Sequence, residues 1–407
     1  MNNPTTGRKL DGIQVLDLSL FLPGPHLTMM MADHGADVIK VEPPQGEPVR
    51  DVGLKQNGHS VWFRNTHRGK RCIALNLKDP AARDAFMHLA ARADVIVEAF
   101  RPGVVDRLGV GFEAVRALNP RIVYCSISAF GQTGPLAQNP AHDLAVQAEA
   151  GLVSVNLGPD GQPAQPGVPA ADMAASLMAL SGILMALLRR QTTGLGEYLD
   201  IAMYDSLLAW TPNVMGPPFV EARAPVVKDE RSWGGSAFYG IYVTSDGRHL
   251  TLGGGEHKFV ESLLHAFDRA DLIAVALLPP GKGHEPVRAF LRERFATRSL
   301  AEWSRFLARL DLAWAPVRTL REAVASELAA ARAMVIEDPP GQPHLGIPIK
   351  FRNEPGRIDP HLDALGASTA AVLREAGWPA ARIDALMAAQ PAVLPAALPL
   401  APAPRAP

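Results

Sequence analysis

The chain has 407 residues, 47% hydrophobic and 20% charged, which is typical of a folded protein with more than one domain and excludes a disordered one. Its 40 basic and 41 acidic side chains leave a formal charge of −1, so no overall field attracts nucleic acid or an anionic membrane. Any anionic ligand must meet a local cluster of cations. The only cysteines, Cys72 and Cys125, lie in apolar runs without metal-ligand spacing, and the first residues lack the pattern of a secretory signal. We therefore expect reduced core thiols, no metal site and a cytoplasmic protein.

Short apolar runs alternate with helical stretches along the first 130 residues. This alternation predicts an α/β domain with a mostly parallel sheet and right-handed crossovers. Ligands in such sheets bind beyond the carboxyl ends of the strands. The predicted strands are Gln14–Leu18, Asp37–Val41, Cys72–Leu75, Asp94–Glu98 and Ile122–Ser128, and the predicted helices are Pro25–His34, Pro80–Arg92 and Phe112–Leu118.

Several basic residues fall at or near the predicted strand ends and loops of this domain. Each one alone is more typical of a solvated surface charge, but together they favour binding of the phosphates of a nucleotide-type ligand. The chain has no phosphate-binding loop of the form GxxxxGK[ST], and the turn after the first strand lacks the GxGxxG pattern of dinucleotide-binding proteins. The cations that we select as candidates are Lys40, Arg68, Lys70, Arg71 and Arg101.

Asp172 comes immediately before the apolar stretch Met173–Leu188, which we predict to be a buried helix and not a membrane span. An aspartate at this place can cap the helix, and it can also serve as a reactive carboxylate, because the helix N-terminus stabilises its charge. His142 precedes the predicted helix Leu144–Ala150, where a histidine is either structural or a second base facing Asp172.

A second domain is predicted at 222–320, after a proline-rich linker. It contains a probable hairpin of Gly240–Thr244 and His249–Leu252. Gly234 and Gly235 could bring backbone close to a ligand, and Glu256 is a weak candidate for a site. The first domain would then comprise 1–210 and 325–388, with an isolated strand at Gly346–Phe351, and 389–407 would be a disordered tail.

An ordered series of motifs resembles the class III CoA-transferase family, which includes formyl-CoA transferase, carnitine CoA-transferase and 2-methylacyl-CoA racemase. The resemblance extends from about Leu10 to Phe351. It rests on Asp172 and on the segments ADHGADVIKVE at 32–42, RGKR at 68–71, FRPG at 100–103, GQTGP at 131–135 and TGLGE at 193–197.

The resemblance implies a Rossmann-like large domain built from both ends of the chain, a smaller α+β domain and an interlocked homodimer. It implies that Asp172 is the catalytic residue and that Lys40, Arg68, Lys70 and Arg101 contact CoA. The substrate would be a CoA thioester with a carboxylic acid as acceptor, and no permanently bound cofactor is needed. Ala99 departs from the family pattern, in which many relatives have asparagine.

Two activities within the family fit the sequence. His142 and Glu256 match the racemase pattern, in which His142 and Asp172 would act as paired bases on the α-carbon. The segment after Asp143 and the absence of glycines after Asp172 favour a transferase, in which Asp172 forms a covalent intermediate and Gly234 and Gly235 stabilise oxyanions. We expect a transferase, with a racemase and a non-catalytic CoA-binding protein as alternatives.

Overall fold

The computed structural model describes residues 7–158 and 160–389. The disordered tail predicted at 389–407 lies outside the described residues except for Ala389, which ends the last helix. The strands are β1 (Gln14–Asp17), β2 (Asp37–Glu42), β3 (Lys55–Gln56), β4 (His59–Ser60), β5 (Arg71–Ala74), β6 (Val95–Glu98), β7 (Val123–Ser128), β8 (Glu197–Ala202), β9 (Tyr239–Val243), β10 (His249–Gly253), β11 (Trp314–Pro316), β12 (Val335–Glu337) and β13 (Pro343–Leu345).

The α-helices alternate with these strands in the first half of the chain and dominate the second half. They are α1 (Pro23–Asp33), α2 (Val61–His67), α3 (Pro80–Ala90), α4 (Val104–Arg107), α5 (Phe112–Leu118), α6 (Asp143–Glu149), α7 (Leu152–Val155), α8 (Ala170–Thr193), α9 (Met203–Leu208), α10 (Gly216–Val220), α11 (His257–Ala266), α12 (Ile273–Ala276), α13 (Glu285–Phe295), α14 (Leu300–Leu307), α15 (Leu320–Val324), α16 (Glu327–Ala331), α17 (Thr369–Glu375) and α18 (Ala380–Ala389).

Six parallel strands form the main sheet in the order β5-β2-β1-β6-β7-β8. Counted from one to six along the chain, this is the order 3-2-1-4-5-6 of Rossmann folds. The predicted parallel α/β sheet is confirmed. The strand order reverses between β1 and β6, so the loops that follow these two strands flank the crevice in which such sheets bind ligands.

The described residues form two compact units. The first, which contains the main sheet, comprises the chain up to 150, residues 167–210 and the chain from 328 onward, and the second comprises 151–166 and 211–327. The break at 210 coincides with the predicted end of the first segment. Residues 151–166 belong to the second unit, although the sequence placed them in the first.

Helix α8 is the longest element of the first unit and packs against α1, α6, β7 and β8. Among the described residues it is the one helix with the length and apolar character to cross a membrane, but the central helices of soluble proteins share both properties. Its contacts with the sheet agree with the predicted buried helix. One face nevertheless carries exposed apolar side chains, namely Leu177, Met178, Leu184, Met185 and Leu188.

The second unit contains the antiparallel sheet β11-β10-β9, so the predicted hairpin is confirmed. Its core is aromatic: Trp303 lies edge-on to Phe295 with ring centroids 5.2 Å apart. The indole N–H of Trp303 donates a hydrogen bond of 2.8 Å to the carbonyl of Phe295, so the buried polar atom is satisfied.

The C-terminal part of the first unit covers β5, the strand at one edge of the main sheet. The Asp363 carboxylate accepts from the N–H of Cys72 at 2.9 Å, and the Thr369 hydroxyl accepts from the N–H of Ala74 at 3.0 Å. The Cys72 carbonyl accepts from the N–H of Ser368. These contacts satisfy edge groups that could otherwise pair with another chain.

The predicted strand at Gly346–Phe351 is wrong. The chain leaves strand conformation after β13 ends at Leu345, and β13 pairs antiparallel with β12. Pro348 cannot donate to a strand ladder, which weakens a strand centred on it.

Candidate active site

Asp172 is the third residue of α8 and not its N-cap. Its side chain is half-buried. Burial, followed by the nearby charge of Asp143, raises the pKa of the Asp172 carboxyl to about 7. A carboxyl with this pKa is roughly half ionised at neutral pH, so it can take or release a proton under working conditions.

The first turn of α8 is capped by a carboxylate from another helix. Asp143, the first residue of α6, accepts from the N–H groups of Ala171 at 2.8 Å and Asp172 at 3.2 Å through Oδ1. Its Oδ2 accepts from the side-chain amide of Gln147 at 2.6 Å, and that amide also donates to the Val168 carbonyl. Asp143 thus provides the helix cap that the sequence pattern suggested for Asp172, whose own carboxyl does not accept these bonds.

His142 lies directly before α6 and is exposed. Its ring makes an edge contact with Phe21, with centroids 5.6 Å apart and an interplanar angle of 84°. Because the next residue, Asp143, binds the N–H of Asp172, the structure brings His142 and Asp172 to the same part of the first unit. The sequence separation of the two residues could not reveal this proximity.

A cavity of about 680 Å³ opens beside His142. It lies beyond the carboxyl ends of β6 and β7, where the fold predicts a ligand site. Most of its wall is small or apolar, and Arg101 contributes a cation. Its lining residues come from 99–102, 128–129 and 137–148.

A second cavity, of about 490 Å³, lies beyond the carboxyl ends of β1, β2, β5 and β6. Its wall is mainly apolar, with Lys78 as an exposed cation. Phe100 lines both cavities, so the loop after β6 forms part of each. Together the two cavities offer room for a long ligand with an apolar section, lying along the carboxyl ends of the strands.

Three of the predicted phosphate-binding cations are buried in ion pairs. Lys40 lies 3.6 Å from Asp17 and 3.4 Å from Glu47, and its ammonium also donates to the Ser19 carbonyl. Lys70 donates to Asp17 at 3.0 Å. Burial lowers the pKa of Lys70 to about 8, against the opposing effect of the Asp17 carboxylate.

Arg68 forms the third buried pair, with Asp33 at 2.8 Å, and also donates to the Leu345 carbonyl. The charges of Lys40, Arg68 and Lys70 are therefore already paired with buried carboxylates in this structure, and their predicted contact with CoA stays a prediction. Arg71 is partly exposed and pairs with Asp37 and Glu375. Arg101 is exposed at the larger cavity, as a phosphate ligand would have to be.

Residues 10–369 match the model of CoA-transferase family III. The chain belongs to this family. It is 32% identical to the acetyl-CoA:oxalate CoA-transferase of Acetobacter aceti, over 88% of this chain and 94% of the relative. It is 31% identical to the succinyl-CoA:glutarate CoA-transferase of Mus musculus, over 81% of this chain and 77% of the relative.

Solved structures agree with this assignment. A CAIB/BAIF family protein from Brucella suis has a TM-score of 0.78 at 28% identity, covering 91% of this chain and 100% of that one. The protein Rv3272 from M. tuberculosis has a TM-score of 0.79 at 26% identity, covering 90% and 99% of the two chains. The family and the CoA-transferase class inferred from the sequence are confirmed.

The predicted second-unit residues of this CoA-transferase have defined local roles. The N–H of Gly235 donates to the Glu230 carbonyl at 2.9 Å, so it is engaged and not offered to an oxyanion. A Cβ at Gly235 would lie 2.6 Å from the Asp229 backbone, which explains the need for glycine. Gly234 has a φ of +97°, and Glu256 is an exposed residue directly before α11.

Two polar groups near the candidate site were not predicted from the sequence. Glu98 ends β6, is buried and accepts from the N–H of Phe100 at 2.7 Å; burial raises its pKa to about 7. His26 on α1 contacts the Ser176 hydroxyl at 2.9 Å, one turn after Asp172 on α8. Burial and the charges of Lys70 and Arg68 lower the pKa of His26 to about 4, so it is neutral at pH 7.

The cysteines and potential metal ligands offer no further chemistry in the part of the chain that the structure describes. Cys72 and Cys125 are free and buried, as predicted for core thiols. Burial raises the pKa of both thiols, which keeps them protonated and unreactive. No group of three or more His, Cys, Asp or Glu side chains among these described residues could hold a metal ion.

Proposed function

We propose that Asp172 is the covalent carrier in CoA transfer between two carboxylic acids. The observation that carries this proposal is the state of the Asp172 carboxyl. It is half-buried, and burial together with the nearby Asp143 carboxylate raises its pKa to about 7. A carboxylate that is partly removed from water and more basic than usual is a better nucleophile than a solvated one.

Transfer begins when the ionised Asp172 carboxylate attacks the thioester carbonyl, which breaks the C–S bond and leaves a mixed anhydride and CoA thiolate. The thiolate then attacks the aspartyl carbonyl, forming an aspartyl-CoA thioester and releasing the first acid. The acceptor carboxylate attacks that thioester, which expels CoA thiolate and forms a second mixed anhydride. The thiolate then attacks the acceptor's acyl carbonyl, which forms the new acyl-CoA and releases the Asp172 carboxylate. The thioester bond is exchanged throughout, so the net reaction needs no external energy source.

The two cavities at the carboxyl ends of the strands support a binding site for CoA. The apolar cavity at the ends of β1, β2 and β5 suits the uncharged sections of the molecule, and Lys78 and Arg101 are exposed cations for its phosphates. These two replace the buried Lys40, Arg68 and Lys70 in our assignment. His142, in the wall of the larger cavity, would face the acyl end.

The acids exchanged are proposed to be small carboxylates, because the relatives are named for acetyl-CoA and oxalate and for succinyl-CoA and glutarate. We also propose a cytoplasmic homodimer. The exposed apolar face of α8 is a surface that a second copy could cover. Light scattering should give twice 43.6 kDa, and a monomer at micromolar concentration would contradict the dimer.

Trapping with hydroxylamine tests the covalent step directly. The enzyme is incubated with succinyl-CoA or acetyl-CoA and hydroxylamine, and mass spectrometry should then find a hydroxamate on the peptide that carries Asp172. Asp172→Asn is the negative control. The racemase alternative predicts an unmodified Asp172 and incorporation of deuterium from heavy water at the α-carbon. That pattern, with no exchange of CoA between acids, would refute the proposal.

A further inference from the structure

The loop between β1 and α1 contains a residue in an unusual backbone conformation. Phe21 has a φ of +63°, in the left-handed region that favours glycine. The loop follows the strand at which the sheet order reverses, so it borders the ligand crevice. Strained positions of this kind persist only where the surrounding structure enforces them, and they concentrate at functional sites.

A part-buried hydrogen bond holds the main chain of Phe21 in this conformation. Its N–H donates to Oε1 of Glu47 at 2.9 Å. Glu47 is buried and pairs with Lys40, whose ammonium also binds the Ser19 carbonyl two residues before Phe21. The loop is therefore bound to a network of buried charged side chains, and the Phe21 main chain cannot move away without losing its hydrogen bond to Glu47.

The result of this conformation is a ring placed against His142. The two rings meet edge to face at 5.6 Å, and Phe21 remains 37% exposed. His142 lines the larger cavity and precedes Asp143, which binds the N–H of Asp172. The Phe21 ring thus contacts a residue of the cavity wall, and its main chain is held by Glu47.

We propose that Phe21 determines which acyl groups the enzyme accepts, by forming a fixed wall that excludes bulky ones. The inference rests on the proposed function, since it assigns a specificity to that same site. A small acyl group of the acetyl or succinyl size fits beside the ring, and a branched or aromatic acyl group collides with it. Removing the ring creates room for the larger groups.

The test is competition between succinyl-CoA and benzoyl-CoA in one vessel, with wild type, Phe21→Ala and Phe21→Gly. We expect the ratio of kcat/KM for benzoyl-CoA over succinyl-CoA to rise by at least about tenfold in both variants, as typical for opening a pocket. A merely structural role would lower both rates together and leave the ratio unchanged. Phe219→Ala, which removes an 82% exposed ring from the second unit, is the matched control.

The two variants also separate strain from specificity. Glycine tolerates a φ of +63°, so Phe21→Gly should unfold at a higher temperature than Phe21→Ala while showing the same change in ratio. An unchanged ratio in both variants, with wild type active, would overturn the inference alone. If wild type exchanges no CoA, the proposed function fails, and calorimetric affinities for the two thioesters then test the wall: an equal affinity ratio in wild type and Phe21→Ala would overturn it.

Discussion

Asp17 and Asp172 both lie in the first unit and out of full contact with water, but their surroundings differ completely. Asp17 at the end of β1 is fully buried and accepts from Lys70 at 3.0 Å and Thr28 at 2.7 Å, with Lys40 nearby. Burial opposes its ionisation, but the two lysines outweigh that effect and hold the pKa of Asp17 well below its usual range. Its charge is permanent.

Asp172 has the opposite surroundings, because the neighbouring charge that affects its pKa is another carboxylate, Asp143. The comparison teaches that burial alone does not mark a reactive carboxylate. Counter-charges make Asp17 part of the scaffold, and their absence leaves Asp172 close to half ionised at neutral pH.

Substitution of Asp172 tests this difference most directly. Asp172→Asn removes the nucleophile, so we expect CoA-transfer activity to fall by at least about a thousandfold. Circular dichroism and the urea midpoint should barely change, because Asp143 and not Asp172 caps α8. Asp384→Asn, at an exposed position of α18, is the control. Retention of a tenth of the activity would contradict a covalent role.

Asp17→Asn should have the reverse profile. It leaves Lys40 and Lys70 buried without their shared carboxylate, which typically destabilises a protein by about 3–5 kcal/mol. Urea unfolding measures this loss. Unchanged stability would show that the buried charges are not mutually dependent and would weaken the distinction between scaffold and site.

The same distinction applies to the arginines. Arg101→Ala should weaken CoA binding by about 1–3 kcal/mol, because an exposed guanidinium loses a charge-assisted hydrogen bond to phosphate. Arg68→Ala should instead lower the unfolding midpoint, since it leaves Asp33 buried and unpaired. Calorimetry of CoA binding beside urea unfolding distinguishes the two. An affinity loss confined to Arg68→Ala would reverse our assignment.

The smallest expected effect is a shift in pH dependence. The nucleophile is the ionised Asp172, so activity should be full above pH 7 and lost as the pH falls through about 7. Asp143→Asn keeps an oxygen that can accept from Ala171 and Asp172 and removes one negative charge. The pH at which kcat falls by half should move below 7. It should stay above the ordinary pKa of an aspartate, because burial, the larger cause of the raised pKa, remains. An unmoved limb would show that Asp143 has no electrostatic effect.

The alternation of the first 130 residues was sufficient to predict the parallel sheet, because each strand there is a separate apolar run. Strand β8 was not predicted: it follows a long helix directly and is only partly buried, so its apolar signal is weak. The false strand at Gly346–Phe351 has the opposite cause, an apolar run interrupted by Pro348.

The site was less predictable than the fold. The place of Asp172 at the start of a long helix could be predicted from the apolar run that follows it, whereas its cap depends on Asp143, 29 residues earlier. The burial of Lys40 does have a signal in the sequence. Central strands of a parallel sheet are covered on both faces, so a lysine within β2 must find an internal partner. The conformation of Phe21 has no signal in the sequence.

The cover over β5 has a consequence for how the protein is made. Residues 363–369 complete the edge of a sheet whose strands were all synthesised by residue 202, and the larger segment of the second unit, 211–327, lies between them in the chain. During translation the β5 edge of the sheet therefore stays uncovered while well over a hundred further residues are synthesised. Such a nascent chain is a natural client for a chaperone, and premature termination after the second unit should yield aggregates and not a smaller soluble enzyme.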